Sequence, residues 1–312
     1  MSIHHKYNEI YHSEITSNSE AIIISYKPLT DQWVFNAYSH TPEIGGVEKL
    51  ASLMRKNLLF YCYGEEEIVN FYNSNKFSSL EIAAKYAYSQ RLPKRKSQSD
   101  GLPGEVLLDL LVQLYNPNTY KLAVRTIFRQ NDNKEIKGYD LTYFSIDNEK
   151  TTLWLGQSKL GSKDYCKQGI NSDLIKKYTD EYLSEQLFFV CDKRMELTED
   201  AKNILSVIDN INIICLSDSI EERNKKLFEY FDSDNISVKI PCLLAYEKKD
   251  IYSDISTITA KISMELKEVQ KYFNSKTYNF SGFNPEIVIY IFPIEDINKL
   301  RNIDGGFYDG LY

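Results

Sequence analysis

The sequence predicts an α/β protein in which a mixed β-sheet carries helices on its faces. The order of segments is the first observation behind this. A strongly apolar helical stretch precedes a meander of strand-like segments, and helices alternating with strands follow, a pattern that builds a mixed sheet. Composition is the second: 312 residues, 43% hydrophobic and 26% charged, give enough chain for a sizeable core. The third is an exclusion. No segment approaches the roughly 18 continuous apolar residues of a membrane span, so no membrane association is expected.

In chain order, residues 21–26 and 33–38 read as strands split by the turn signal Lys27-Pro28. A helix over 47–57 precedes a strand over 58–63, and Glu65-Glu66-Glu67 opens another helix. Ser78 with Glu81 three residues later forms a capping box for a helix through Gln90. The stretch 92–101 is polar and basic, with Pro93 and Gly101, and marks a break between an N-terminal α/β subdomain (1–95) and a main domain (100–312). Its Lys94-Arg95-Lys96 run reads as solvated linker rather than as a phosphate grip. Pro103 suits a first helical turn, and the helix runs on through Tyr115. Strands are expected over 121–129, 138–146 and 151–160, then a helix over 164–183 and strands over 187–191 and 211–216. A helix over 220–231, a strand over 238–246, a helix over 254–273 and a strand over 286–294 close the pattern. The final stretch, 305–312, reads as a docking or disordered tail.

Several function classes drop out. The five cysteines are scattered through apolar runs, as reduced core thiols of a cytoplasmic protein would be, and the N-terminus has no apolar signal region. All four histidines lie in the first forty residues, so a Ser-His or Cys-His pair in the middle of the chain lacks its base. The net charge of −7 argues against a protein that grips nucleic acid unaided, since such proteins are usually basic.

The stretch 138–160 carries the chemistry. A tight turn over 147–150 sets Ile146 opposite Thr151 and therefore Asp140 opposite Gln157. Lys159, two residues on, shares their face. An acid, an amide and an ammonium among Leu141, Leu153 and Leu155 must satisfy one another or a ligand. Two readings stand side by side: a divalent-cation site that takes phosphate oxygens, and a structural Asp140–Lys159 pair. Lys163 and Lys167 follow Lys159 at helical spacing, and Arg125 and Arg129 share one strand face. Both pairs suit contacts to DNA phosphates, and both suit a plain solvated face.

Asp140 followed by Gln157-x-Lys159, after a helix bearing Glu105, resembles the core motif of PD-(D/E)xK nucleases. More narrowly, Gly104-Glu105-Val106-Leu107-Leu108, Lys137-Gly138-Tyr139-Asp140 and Leu153-Trp154-Leu155-Gly156-Gln157-Ser158-Lys159-Leu160 are similar to the HamA effectors of Hachiman anti-phage systems. The blocks 240–246 and 287–293 extend the likeness, which runs from about residue 100 to 300. The resemblance implies a restriction-endonuclease-like fold and metal-dependent cleavage of DNA. Glu105, Asp140 and Gln157 would hold Mg²⁺ or Mn²⁺, and Lys159 would complete the catalytic set. It also implies a HamB-like helicase as partner, sensing aberrant DNA and restraining the nuclease. The family motif has Glu where this chain has Gln157. That departure gives weight to an alternative, a catalytically inactive nuclease-fold subunit of the same complex. Replacing Gln157 by Glu is expected to add repulsion against Asp140 without metal and to tighten metal binding with it.

Overall fold

The structure is a computed structural model that describes residues 2–92, 100–124, 126, 138–191, 197–280 and 282–312. It begins with helix α1 (Ile3–Tyr11), a π-helical turn (His12–Thr16) and the short α2 (Ser17–Ser19). Strands β1 (Ile23–Thr30) and β2 (Val34–His40) form a hairpin, and α3 (Gly46–Lys56), α4 (Leu58–Cys62), α5 (Glu65–Asn73) and α6 (Leu80–Arg91) follow. Next come α7 (Leu102–Tyr115), β3 (Tyr120–Lys121), β4 (Leu141–Asp147) and β5 (Lys150–Gly161). Four helices, α8 (Lys163–Lys176), α9 (Asp180–Cys191), α10 (Glu199–Ile214) and α11 (Ile220–Ser233), lead to β6 (Ile236–Glu247). The chain ends with α12 (Lys249–Tyr252), α13 (Ile258–Asn274), β7 (Glu286–Ile294) and α14 (Ile297–Leu300).

The strands form one seven-stranded sheet in the order β1-β2-β7-β6-β5-β4-β3. β3, β4 and β5 are antiparallel, β5, β6, β7 and β2 run parallel, and β1 returns antiparallel. The expected mixed α/β sheet flanked by helices is therefore present, with a restriction-endonuclease-like arrangement. Each face has its own core. One packs α1 and α3 to α7 with Leu141, Tyr143, Trp154 and Leu160. The other packs α8 to α11 and α13 with Phe144, Leu153 and Leu155. Residues on both sides of the expected break near 92–101 share the sheet, because β2 pairs with β7, and share the first core. The Lys94-Arg95-Lys96 run lies outside the described residues.

The β4–β5 hairpin has the expected register, with Ile146 opposite Thr151 and Leu141 opposite Gly156. Asn148 and Glu149 turn the corner at φ of 47° and 66°. Both values are left-handed, as a two-residue turn of primed type requires. Pro241 has no N–H to give the sheet, yet it sits in an inner strand. Gly156 on the neighbouring strand makes room for it: a Cβ at Gly156 would lie 3.0 Å from Pro241 Cγ and 3.0 Å from Leu108 Cδ2.

Three expected strands are helical. Residues 58–62 form α4, the continuation of α3 through Asn57, whose backbone N–H reaches Leu53 O at 3.0 Å. The run 187–191 ends α9, and of the run 211–216 the first four residues end α10 while 215–216 turn out of it. Short apolar runs fit a buried helix as well as a strand, and in each case the turns before the run were already helical. The single helix expected over 164–183 breaks between α8 and α9, where buried Tyr178 turns inward and its hydroxyl donates to Leu155 O at 2.7 Å. Of the first expected meander strand, Lys121 lies in β3 and Leu122 and Ala123 both donate to Thr142 O, while 125 and 127–129 lie outside the described residues. Ser79, one residue past the expected cap, accepts from the Ile82 N–H to start α6. The C-terminal segment is docked: Tyr308 is fully buried and its hydroxyl donates to Asp100 at 2.5 Å.

All five cysteines are buried, and none of them forms a disulfide. Among the described residues no helix is long and apolar enough to cross a membrane.

Candidate active site

The site forms at the end of the β4–β5 hairpin away from its turn. Alternation along β5 divides the side chains between the two faces. Trp154 and Leu160 belong to the α7 face, while Leu153 and Leu155 belong to the α8 face. Gln157 and Lys159 continue the second set and meet α8.

Lys159 reaches over α8 at Gly169. A Cβ there would lie 2.9 Å from both Cδ and Cε of Lys159, so the glycine makes a groove for the lysine stem. The ammonium donates to Asp173 Oδ2 at 2.5 Å. Burial works against the charged form, but the Asp140 charge and then the Asp173 hydrogen bond outweigh it and hold the Lys159 pKa above its ordinary value. Lys159 is thus a fixed cation at neutral pH.

Asp140 lies just ahead of β4, and its backbone N–H donates to Gly156 O at 2.8 Å. Its Oδ2 accepts from the Ser158 backbone N–H at 2.8 Å and from the Ser158 hydroxyl at 3.2 Å. These bonds hold the carboxylate across the strand end, within electrostatic reach of Lys159.

Gln157 is fully buried. Its Nε2 donates weakly to Gly138 O at 3.4 Å, while its Oε1 accepts from Lys177 Nζ at 2.7 Å. Lys177 also lies 3.5 Å from Gly138 O and 3.6 Å from Asp173 Oδ1. The break after α8 delivers Lys177 to this point, and Tyr139 fixes the break by donating to Lys177 O at 2.7 Å. Gly169, Asp173 and Lys177 are the members sequence reasoning missed. Their signal is a spacing of four and four on the helix after the Lys159 strand, which puts them on one helix face.

The other expected residues have the following partners or lie outside what is described. Glu105 sits in the first turn of α7, and its Oε2 accepts from the Tyr61 hydroxyl at 2.7 Å. Its helix packs on the opposite face from Gln157 and Lys159: a Cβ at neighbouring Gly104 would lie 3.1 Å from Leu160 Cβ. Lys163 is paired with Glu265 at 2.8 Å and Glu268 at 2.5 Å. Lys167 is paired with Asp164 at 2.9 Å and lies over the Tyr272 ring. Arg125 and Arg129 lie outside the described residues.

Tested against a divalent cation, these residues do not form a ready cage. Among the described residues no three His, Cys, Asp or Glu side chains gather where they could hold one. Asp140 Oδ2 takes two donors from Ser158, and Gln157 Oε1 faces an ammonium. Among the described residues the cluster brings Asp140, Asp173, Lys159 and Lys177 around a buried amide.

A mixed sheet bearing an acid and a Gln-x-Lys pair on adjacent antiparallel strands, after an apolar helix, falls in the restriction-endonuclease-like class. Within that class the chain matches the HamA family model over residues 36–303 and belongs to the HamA family, which ties it to Hachiman anti-phage defence. The match begins well before residue 100, where the motif likeness starts. No curated protein matches the chain.

Proposed function

We propose that this chain is the effector of an anti-phage defence complex and hydrolyses DNA phosphodiester bonds at the Asp140–Lys159 end of the hairpin. The placement of Lys159 carries the reading. An ammonium held in its charged form beside an anchored carboxylate is suited to balancing charge that develops on phosphate oxygens. Since its pKa is raised, Lys159 acts as an electrostatic group and not as a base. Ser158 keeps Asp140 oriented, and Gly169 keeps Lys159 on its path. Mg²⁺ or Mn²⁺ enters this reading from the family resemblance alone. A HamB-like helicase belongs to it as the partner that restrains the effector and supplies DNA affinity, in keeping with the net charge of −7. A second reading, an inactive nuclease-fold subunit in the same complex, is favoured by one observation: Gln157 bonds to Lys177 in place of presenting a carboxylate.

A plasmid assay in Mg²⁺ buffer, with and without the helicase, tests the proposal. The wild-type chain should cut under at least one of these conditions. Lys159→Met should lower cleavage at least about a hundredfold, the scale of losing one preorganised electrostatic group, while melting within a few degrees of wild type. Equal cutting by both proteins would remove Lys159 from the site. No cutting under any condition would leave the inactive-subunit reading.

A further inference from the structure

We infer that a cleft on the opposite face of the sheet, past the end of α7, takes a guanine base. Helix α7 stops at Tyr115, and beyond it the sheet opens into a cleft of about 180 Å³ walled by Tyr38, Tyr115, Tyr290 and Trp154. That volume is below the range of sites for larger ligands and suits a single ring system. Trp154 and Lys159 stand five residues apart on β5, roughly 16 Å, and point to opposite faces. The cleft is therefore separate from the site at the hairpin end.

The rings are held by their polar ends. Trp154 Nε1 donates to Ser145 Oγ at 2.9 Å, the Tyr115 hydroxyl is bonded to Ser25, and the Tyr290 hydroxyl is bonded to Asn116. Tyr115 also packs on Tyr38 with ring centroids 4.6 Å apart, yet it is 40% exposed. It is a fixed platform with room for a planar base to stack. Where β6 and β7 begin, Lys239 and Glu286 pair at 3.0 Å, and the ammonium lies 4.6 Å above the Trp154 ring. The pairing leaves the ammonium donors to spare and the carboxylate further acceptor sites. A donor and an acceptor side by side complement the edge of guanine: O6 accepts from the ammonium, while N1–H and N2–H₂ both donate to the carboxylate. No other base of DNA sets an N–H and an NH₂ group next to each other. Asn36 also lines the cleft, and its amide has no hydrogen-bond partner among the described residues. Because the ion pair is neutral overall, recognition falls on the base and not on its phosphate. A free nucleotide and a single strand thus present the same chemistry, whereas duplex DNA hides this edge in base pairing.

Guanosine 5′-monophosphate and a thymine oligonucleotide carrying one guanine are the probes, titrated by calorimetry into the full-length protein in metal-free buffer. Wild type should bind the guanine nucleotide at least about tenfold more tightly than adenosine 5′-monophosphate, the scale of one bidentate contact to a base edge. Tyr115→Ala should weaken that binding at least about fivefold, the scale of one stacking platform. Glu286→Gln should erase the preference for guanine over adenine. Lys159→Met should bind as wild type does, which keeps the result independent of the nuclease reading; a loss there equal to that of Tyr115→Ala would overturn the inference. An oligonucleotide that binds at least about tenfold more tightly than the nucleotide, and loses that gain in Tyr115→Ala, makes a single strand the source of the base. Nucleotide binding without the gain makes the source a free nucleotide, and the guanine site stands in both cases. Failure of both probes to bind, or equal affinity for the guanine and adenine nucleotides, overturns it. Should Tyr115→Ala melt far below wild type, Glu286→Gln, a change at a half-exposed side chain, carries the test alone: an unchanged preference for guanine refutes the site.

Discussion

Glutamine and glutamate at position 157 differ by one charge, and the neighbour that meets that charge decides its effect. From the sequence, Asp140 is the expected neighbour and repulsion the expected outcome. In the structure Gln157 Oε1 bonds to the Lys177 ammonium at 2.7 Å. Gln157→Glu should therefore gain an ion pair and unfold at least as high in denaturant as wild type. In a Lys177→Met background the same substitution should be clearly destabilising, because a buried carboxylate is left without its cation. A double-mutant cycle should give a coupling of roughly 0.5–3 kcal/mol in favour of the pair; a coupling near zero would mean that the introduced carboxylate turns away from Lys177. Asp140, Gln157 and Lys159 were legible in the sequence because strand alternation and a tight turn fix their register. Asp173 and Lys177 were not, because the helix break that delivers Lys177 depends on Tyr178 finding Leu155 across the core.

Helix α8 acts on the site as a shaped surface. Its decisive feature is an absent side chain at Gly169, where Cδ and Cε of Lys159 lie 2.9 Å from a would-be Cβ. Gly169→Ala should push the lysine stem aside, break its bond to Asp173 and lower plasmid cleavage at least about tenfold, as small displacements of a positioned group do. Alanine favours helix over glycine by about 1 kcal/mol, so the melting temperature should fall little or rise. Loss of cleavage together with a large drop in melting temperature would instead mark Gly169 as a packing residue. At this scale the sequence was clear wherever period or caps spoke, as in α7, β5, β6 and β7. It misled at 58–63, 187–191 and 211–216, where unbroken apolar runs fit both kinds of buried element and only the turns before them decide.

Across the whole molecule, the end of β2 is tied to the end of β7 by a single ring. The fully buried His40 donates from Nδ1 to Thr41 O at 2.8 Å, and its Nε2 accepts the Glu295 backbone N–H at 3.1 Å. Only the neutral ring serves both bonds. Burial, the largest influence, pushes the His40 pKa down to about 4, although the Thr41 bond opposes it. In the unfolded chain the ring titrates near 6.5, so the unfolded state binds more protons between the two values. Stability from this group is therefore full above about 6.5 and is lost as pH falls toward 4, by at most about 3 kcal/mol. Melting temperatures measured from pH 7.5 down to 4.5 should fall more steeply for wild type than for His40→Gln, which cannot take up a proton. Parallel curves would show that His40 has little part in acid sensitivity.

The order of strands in the sheet also has a consequence for the birth of the protein. The ribosome releases β1 and β2 well before β7, the strand that joins them to the rest. Residues 34–37 pair with residues 288–291. The first hairpin must therefore wait for about 250 residues of further synthesis with one edge unpaired, a slow long-range closure. For an effector whose proposed target is DNA, such a delay is a safeguard of timing: the sheet that aligns β5, β6 and α8 is complete only after β7 has been translated.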